Sequence, residues 1–333
     1  MDIAQLKQTT QAMVAPKKGI LAADESTKTI QKRFDKIGLQ SNPETNLIYR
    51  KMLFTTPGIE EFISGVILYD ETIRQSIDGL PVPKYLEKKG ILPGIKVDKG
   101  AVDLPNFPGE KITEGLEDLK ERLTEYAQMG AKFAKWRAVI TIGERIPTDA
   151  CINENAERLA KYAKLCQEQD IVPIVEPEVL MDGAHDLEKC KEVTSKTLKA
   201  VFAKLATNKV ILEGVILKPN MVISGKDASY KATPKEIAEV TVATFLEVVP
   251  KEIPGVVFLS GGQTPDEATE NLREINLITG SPWQLSFSYG RALQDEALKV
   301  WVGKEENVEL AQQAFLARAK KVSLARQGNA KVL

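Results

Sequence analysis

Eight short runs rich in β-branched residues recur along the chain, and helical patterns separate most of them. The runs are Gly19–Ala23, Gly65–Tyr69, Gly94–Val97, Phe133–Ile140, Val172–Glu178, Gly214–Lys218, Gly255–Ser260 and Gln284–Phe287. Helical stretches follow at Asn42–Leu53, Leu116–Met129, Asn155–Gln169, Asp186–Ala206, Pro234–Val249 and Asp266–Leu277, and Asp295–Val302 and Lys304–Gln327 come last. A strand that needs a crossover helix before its successor is a parallel strand. Eight such units in 333 residues predict an α/β fold, a single (β/α)8 TIM barrel with extra N- and C-terminal helices. No linker divides the chain, so one domain is expected over residues 1–333, with the helical segment 295–333 packed on the barrel or trailing from it. Ile77–Asn106, rich in Gly and Pro, reads as barrel loops around a strand. A doubly wound open sheet is the competing architecture, but neither Gly-x-Gly-x-x-Gly nor Gly-x-x-x-x-Gly-Lys-Ser/Thr is present.

Charge narrows the function. With 45 basic and 46 acidic side chains, nucleic acid and anionic membrane are not expected partners. No apolar run reaches the ~18 residues of a membrane span, and Met1–Pro16 lacks the apolar core of a signal peptide. Cys151, Cys166 and Cys190 are odd in number, which fits reduced thiols in a cytoplasm, and no histidine neighbours them in sequence. His185 is the sole histidine, so three-histidine and His-Glu-x-x-His zinc sites cannot be assembled. Its setting, Asp182-Gly-Ala-His-Asp186, reads as a loop, where a structural role is expected. Acid–base chemistry therefore falls to carboxylates and lysines.

Val215-Ile-Leu-Lys-Pro-Asn220 puts Lys218 at the end of an apolar run. Burying a lysine cation costs several kcal/mol, so the side chain keeps water or lowers its pKa. A partly neutral lysine is an amine nucleophile able to form a Schiff base with a carbonyl. A lone strand-end lysine more often snorkels to solvent. This one has company. Residues i and i+2 of a strand share a face, which groups Lys135 with Arg137, Glu176 with Glu178 and Lys96 with Asp98, while Asp24 ends the first strand. If these faces point inward, four cations meet four anions at the C-terminal mouth, where barrel active sites lie. Lys135 beside Lys218 would then disfavour the ammonium form. Solvated strand-end salt bridges are the plainer reading of any one pair.

Two glycine turns add a candidate phosphate site. Ser260-Gly261-Gly262 follows strand seven and Gly290-Arg291 follows strand eight, where such barrels commonly hold phosphate. Arg291 offers a guanidinium fork. Lys32 and Arg33, after Ser26 and Thr29, could hold a second phosphate or decorate a helix.

At these residues the chain resembles the class I (Schiff-base) fructose-1,6-bisphosphate aldolases. The matching stretches are Gly19-Ile-Leu-Ala-Ala-Asp-Glu-Ser-Thr27, Gly94-Ile-Lys-Val-Asp-Lys-Gly100, Phe133-Ala-Lys-Trp-Arg137, Ile171-Val-Pro-Ile-Val-Glu-Pro-Glu178, Leu217-Lys-Pro-Asn-Met-Val222, Phe258-Leu-Ser-Gly-Gly-Gln263 and Phe287-Ser-Tyr-Gly-Arg-Ala-Leu293. They run in the family's order across nearly the whole chain. The resemblance implies aldol cleavage of fructose 1,6-bisphosphate with Lys218 as the Schiff-base lysine and Glu176 as the acid–base group, with Glu178 beside it. It implies Asp24 at the C4 hydroxyl, and Lys135 orienting hydroxyls and tuning charge. Ser260, Gly261, Gly290 and Arg291 would grip the C1 phosphate; Ser26, Thr29, Arg33, Lys96 and Arg137 would surround the C6 phosphate. No metal or organic cofactor is implied, and members are usually cytosolic homotetramers of glycolysis and gluconeogenesis.

Two departures stand out. Animal members carry Gly then Ser where this chain has Lys28 and Thr29. They also have a mobile tail ending in tyrosine that helps proton transfer at C3, whereas the last tyrosine here is Tyr289 and the sequence closes on Ala330-Lys-Val-Leu333. Another group or water would take that proton, or turnover is altered. Competing readings are another Schiff-base barrel enzyme, such as a transaldolase or a keto-acid lyase, and a non-catalytic sugar-phosphate-binding barrel. Two phosphate clusters favour a bisphosphate, and the intact charged set favours catalysis.

Overall fold

A computed structural model describes residues 1–329; the end of the expected C-terminal segment, residues 330–333, lies outside them. Eight parallel strands close into a barrel: β1 (Gly19–Ala23), β2 (Ile63–Leu68), β3 (Leu92–Lys96), β4 (Phe133–Ile140), β5 (Val172–Val179), β6 (Ile216–Leu217), β7 (Gly255–Phe258) and β8 (Gln284–Tyr289). Each strand pairs with the next in sequence, and β8 closes on β1 through Ile20–Ser288 and Leu21–Tyr289. The eight expected runs are thus the eight barrel strands. β6 is shorter than its apolar run, because Leu212–Gly214 form a 3-10 turn and Pro219 has no N–H for the ladder.

The Ile77–Asn106 region carries more structure than the loops expected there. Ser76–Ile77 pairs with Leu80–Pro81, a helix spans Val82–Lys88, and Gly100–Asp103 pairs with Lys111–Glu114. A helix at Thr27–Phe34 carries Lys32 and Arg33.

Two apolar layers hold the barrel. Outside, the strands pack against the helices in one large cluster that includes Trp136, Tyr162, Phe245 and Phe258. Inside, Ile20, Ala22, Ile67, Phe133, Val172, Ile174, Ile216 and Val257 fill the lower half, and Leu6, Met13 and Val14 complete this cluster from below. The last three belong to or directly follow the N-terminal helix Ile3–Met13, which plugs the base. Gly94 is required by close approach: a Cβ there would stand 2.2 Å from the Phe133 ring.

The helices start where the chain says they should. Thr233 and Thr264 each cap a helix whose next residue is proline and whose third residue is a reciprocating glutamate. The last helix, Val308–Arg326, packs on the barrel's outer helices rather than trailing away. Arg318, buried, fastens it by donating to the Ala292 carbonyl at 3.0 Å and to Asp266 at 2.8 Å. Among the described residues, no helix is long and apolar enough to cross a membrane.

Candidate active site

The parity of the strands builds the site. Inward positions of β5 run Val172, Ile174, Glu176, Glu178; those of β4 run Phe133, Lys135, Arg137; β6 offers Ile216 and then Lys218. β1 continues from Ile20 and Ala22 to Asp24. On each strand the inward series is apolar at the base and charged at the C-terminal end. The register aligns these ends, with Lys96 beside Lys135, Arg137 beside Glu176, and the Lys218 N–H donating to the Val175 carbonyl at 2.8 Å.

The eight charges pair one to one. Lys218 Nζ lies 3.2 Å from Glu176 Oε1. Lys135 Nζ lies 2.6 Å from Asp24 Oδ2, and Lys96 Nζ donates to Asp98 Oδ1 at 2.6 Å. Arg137 Nε donates to Glu178. Cross-links join the pairs: Glu176 Oε2 stands 3.6 Å from Lys135 Nζ, and Asp98 Oδ2 stands 4.0 Å from it. Lys135, Glu176 and Lys218 are each no more than 4% exposed. Charges so buried persist only when compensated, and this lattice compensates them.

The electrostatics separate the roles. Burial alone would raise the Asp24 carboxyl, but Lys135, Lys218 and Lys96 overcome it and bring its pKa down to about 2. For Lys135, burial would lower the pKa, yet Asp24, Glu176 and Asp98 together lift it well above the ordinary lysine value. Lys135 is therefore a fixed cation and Asp24 a fixed anion. Lys218 instead faces Glu176, one of whose oxygens is buried and without a hydrogen-bond partner.

Two cavities share this mouth. The smaller, about 380 Å³, contains Lys218, Glu176, Ser260, Gly261, Gly290 and Arg291. The larger, about 670 Å³, holds Ser26, Thr29 and Lys96 and does not reach Lys218. Asp24, Thr29, Arg33, Lys135, Arg137 and Gly290 line both, so the two are lobes of one opening. The Lys218–Glu176 pair, not size, makes the smaller lobe the candidate for the reactive groups. Each lobe has its own cations and donors. In the smaller, Gly261 adopts a left-handed backbone (φ 55°), Arg291 donates to the Gly261 carbonyl, and Gly290 and Arg291 open the helix Arg291–Trp301. In the larger, the hydroxyls of Ser26 and Thr29 lie 3.1 Å apart at the start of the helix Thr27–Phe34.

The structure brings together every site residue expected from the sequence. It adds Ser288, which sequence reading passed over. This residue is 1% exposed, lines the smaller lobe, and has a hydroxyl with no hydrogen-bond partner among the described residues. Its signal was the run of small inward residues Ser286, Ser288 and Gly290. His185 lines neither lobe; its carbonyl accepts from the Gly225 N–H at 2.7 Å, which ties two loops together.

Comparison with known proteins gives one answer. The family model described as fructose-bisphosphate aldolase class-I matches residues 5–332. A probable fructose-bisphosphate aldolase class 1 of Xanthomonas campestris is 54% identical, covering 98% of this chain and 99% of that protein. The cytosolic fructose-bisphosphate aldolase 4 of Arabidopsis thaliana is 52% identical, covering 95% and 81%. A solved structure of the Plasmodium falciparum aldolase, in complex with TRAP and a small-molecule inhibitor, superposes with a TM-score of 0.97 at 50% identity, covering 98% of this chain and 95% of that one.

Proposed function

Because the chain belongs to the class I fructose-bisphosphate aldolases, it is a lyase that cleaves fructose 1,6-bisphosphate through a lysine Schiff base, and we propose that Lys218 is that lysine. One observation carries the assignment: Lys218 is buried at the mouth with its nitrogen 3.2 Å from a carboxylate, Glu176, that also faces Lys135. Lys218 attacks the C2 carbonyl of the open-chain ketose as a free amine, having passed its proton to Glu176. Glu176 returns that proton to the carbinolamine hydroxyl, water leaves, and an iminium remains. As C3–C4 breaks, its electron pair moves into the iminium to give the enamine, and the C4 hydroxyl becomes the aldehyde of glyceraldehyde 3-phosphate.

The C4 proton needs an acceptor. A carboxyl with a pKa of about 2 is a weak base, so Asp24 accepts the hydrogen bond of the C4 hydroxyl and orients it. Glu176, ionised again after the dehydration, takes the proton. Lys135 keeps its charge and stabilises the oxygen from which that proton departs. Protonation of the enamine at C3 and hydrolysis of the imine then release glycerone phosphate and free Lys218.

The smaller lobe, with Ser260, Gly261, Gly290 and Arg291, receives the C1 phosphate next to the imine. The larger, with Ser26, Thr29, Arg33, Lys96 and Arg137, receives the C6 phosphate, and Glu178 holds Arg137 in place. We further propose one domain, a homotetramer and a cytosolic location, the last supported by the cytosolic Arabidopsis relative. The chemistry as written needs neither metal nor organic cofactor.

Borohydride added with the bisphosphate is expected to leave a reduced adduct on Lys218, located by mass spectrometry, and Lys218→Met is expected to fold without it. Activity is expected to survive EDTA. An adduct on another lysine, or loss of activity in EDTA, would overturn the assignment.

A further inference from the structure

Gln294 lies one turn into the helix that begins at Gly290-Arg291, and it is fully buried. Its Nε2 donates to the Ala22 carbonyl at 2.7 Å, two residues before Asp24. Its Oε1 accepts from Arg33 at 3.1 Å and from the Tyr49 hydroxyl at 3.0 Å. Burial with every polar group engaged is costly to achieve and rigid once achieved. Arg33 also meets Glu25, 2.7 Å away as an ion pair, but neither Glu25 oxygen has an aligned hydrogen-bond donor. Glu25 therefore supplies charge, and Gln294 supplies direction. The other end of the guanidinium, NH2, lies 3.3 Å from where a Cβ on Gly290 would stand, so a side chain at 290 would crowd it. Arg33 lines both lobes of the mouth.

We propose that Gln294 is a positioning residue that aims Arg33 at the phosphate remote from Lys218 and so sets the preference for bisphosphate over monophosphate ketoses. The proposal rests on reading Arg33 as a C6-phosphate residue. Gln294 touches no substrate; it acts by holding one face of the guanidinium so that the other is presented to the opening.

The test is a double-mutant cycle with Gln294→Met and Arg33→Ala, measured on fructose 1,6-bisphosphate and fructose 1-phosphate. Gln294→Met is expected to raise KM for the bisphosphate roughly ten-fold, the scale of one hydrogen bond to a charged group, and to raise KM for the monophosphate less. In the Arg33→Ala background, Gln294→Met should add nothing further to the bisphosphate KM. Additive effects, or equal rises for both substrates, would overturn the proposal. Gln294→Glu keeps the acceptor for Arg33, so its KM ratio should stay near that of the parent protein. A bisphosphate-to-monophosphate KM ratio raised several-fold in Gln294→Glu would overturn the proposal, and this reading does not depend on Gln294→Met folding. Borohydride trapping on Lys218 in the same samples tells a lost imine from a misdirected Arg33.

Discussion

Asp24 and Lys135 meet oxygen to nitrogen at 2.6 Å, although one directly follows the first barrel strand and the other is the third residue of the fourth. The contact gives each a permanent charge, so neither is free to trade protons near neutrality. Glu176, which faces both Lys135 and Lys218, is the carboxylate placed to exchange a proton with Lys218 in the proposed mechanism.

Glu176→Gln removes the proposed proton carrier while keeping the shape. Turnover is expected to fall by roughly 10²–10⁴, the usual worth of general acid–base catalysis. Stopped-flow trapping should show slowed imine formation, with substrate binding little changed. Loss confined to KM would argue against the assignment.

Asp24 also predicts an acid limb in the stability profile. Its pKa is about 2 in the fold against an ordinary 3.8. A depressed carboxyl contributes stability that is complete above the unfolded value and is lost as pH falls from about 4 toward 2. At ~1.4 kcal/mol per unit this is roughly 2 kcal/mol. Urea midpoints at pH 7 and pH 3 should therefore differ less in Asp24→Asn than in the parent protein. Asp24→Asn should itself be less stable at pH 7, because Lys135 loses its nearest partner.

The phosphate ends are separable. Arg291→Ala is expected to raise KM for both the bisphosphate and fructose 1-phosphate, since its lobe adjoins Lys218. Arg137→Ala is expected to raise KM chiefly for the bisphosphate, because Arg137 is proposed to meet the C6 phosphate, which fructose 1-phosphate lacks. Steady-state kinetics on the two substrates distinguish these patterns.

The three cysteines are free and buried. Burial, reinforced by Glu110, pushes the Cys151 thiol up to about 12, and burial lifts Cys166 and Cys190 above their ordinary value as well. Little thiolate forms at pH 8, so a thiol-disulfide reagent should label the native protein slowly and all three thiols at once in urea.

Gly94→Val would drive a side chain into the Phe133 ring. A loss of about 1–3 kcal/mol is expected, the range for overpacking. Thermal melts of Gly94→Val with and without Phe133→Leu should show partial recovery.

Strand parity made most of this site legible in advance. Lys135 and Arg137, or Glu176 and Glu178, stand out as pairs two residues apart in otherwise apolar runs, and it is the recurrence of such pairs at one end of several strands that favours an inward, compensated face over solvated strand-end salt bridges. β1 and β4 also keep the limits read from the sequence. The paired strands Gly100–Asp103 and Lys111–Glu114 did not show, since each is only four residues long and the first is largely exposed, so neither makes an apolar run of strand length. Ser288 gave only the weak signal of a small inward residue, and Gln294 gave none. What surrounds them, Ser260 and Lys218 for the first and Ala22, Arg33 and Tyr49 for the second, is brought near by the closed ring.

The helix Ile3–Met13 closes the lower end of the barrel, while both lobes open at the C-terminal mouth. With Lys218 as the proposed imine lysine, the aldehyde half is free to leave through that mouth while its partner stays covalently tethered. The covalent bond, and not a difference in affinity, then sets the order of release.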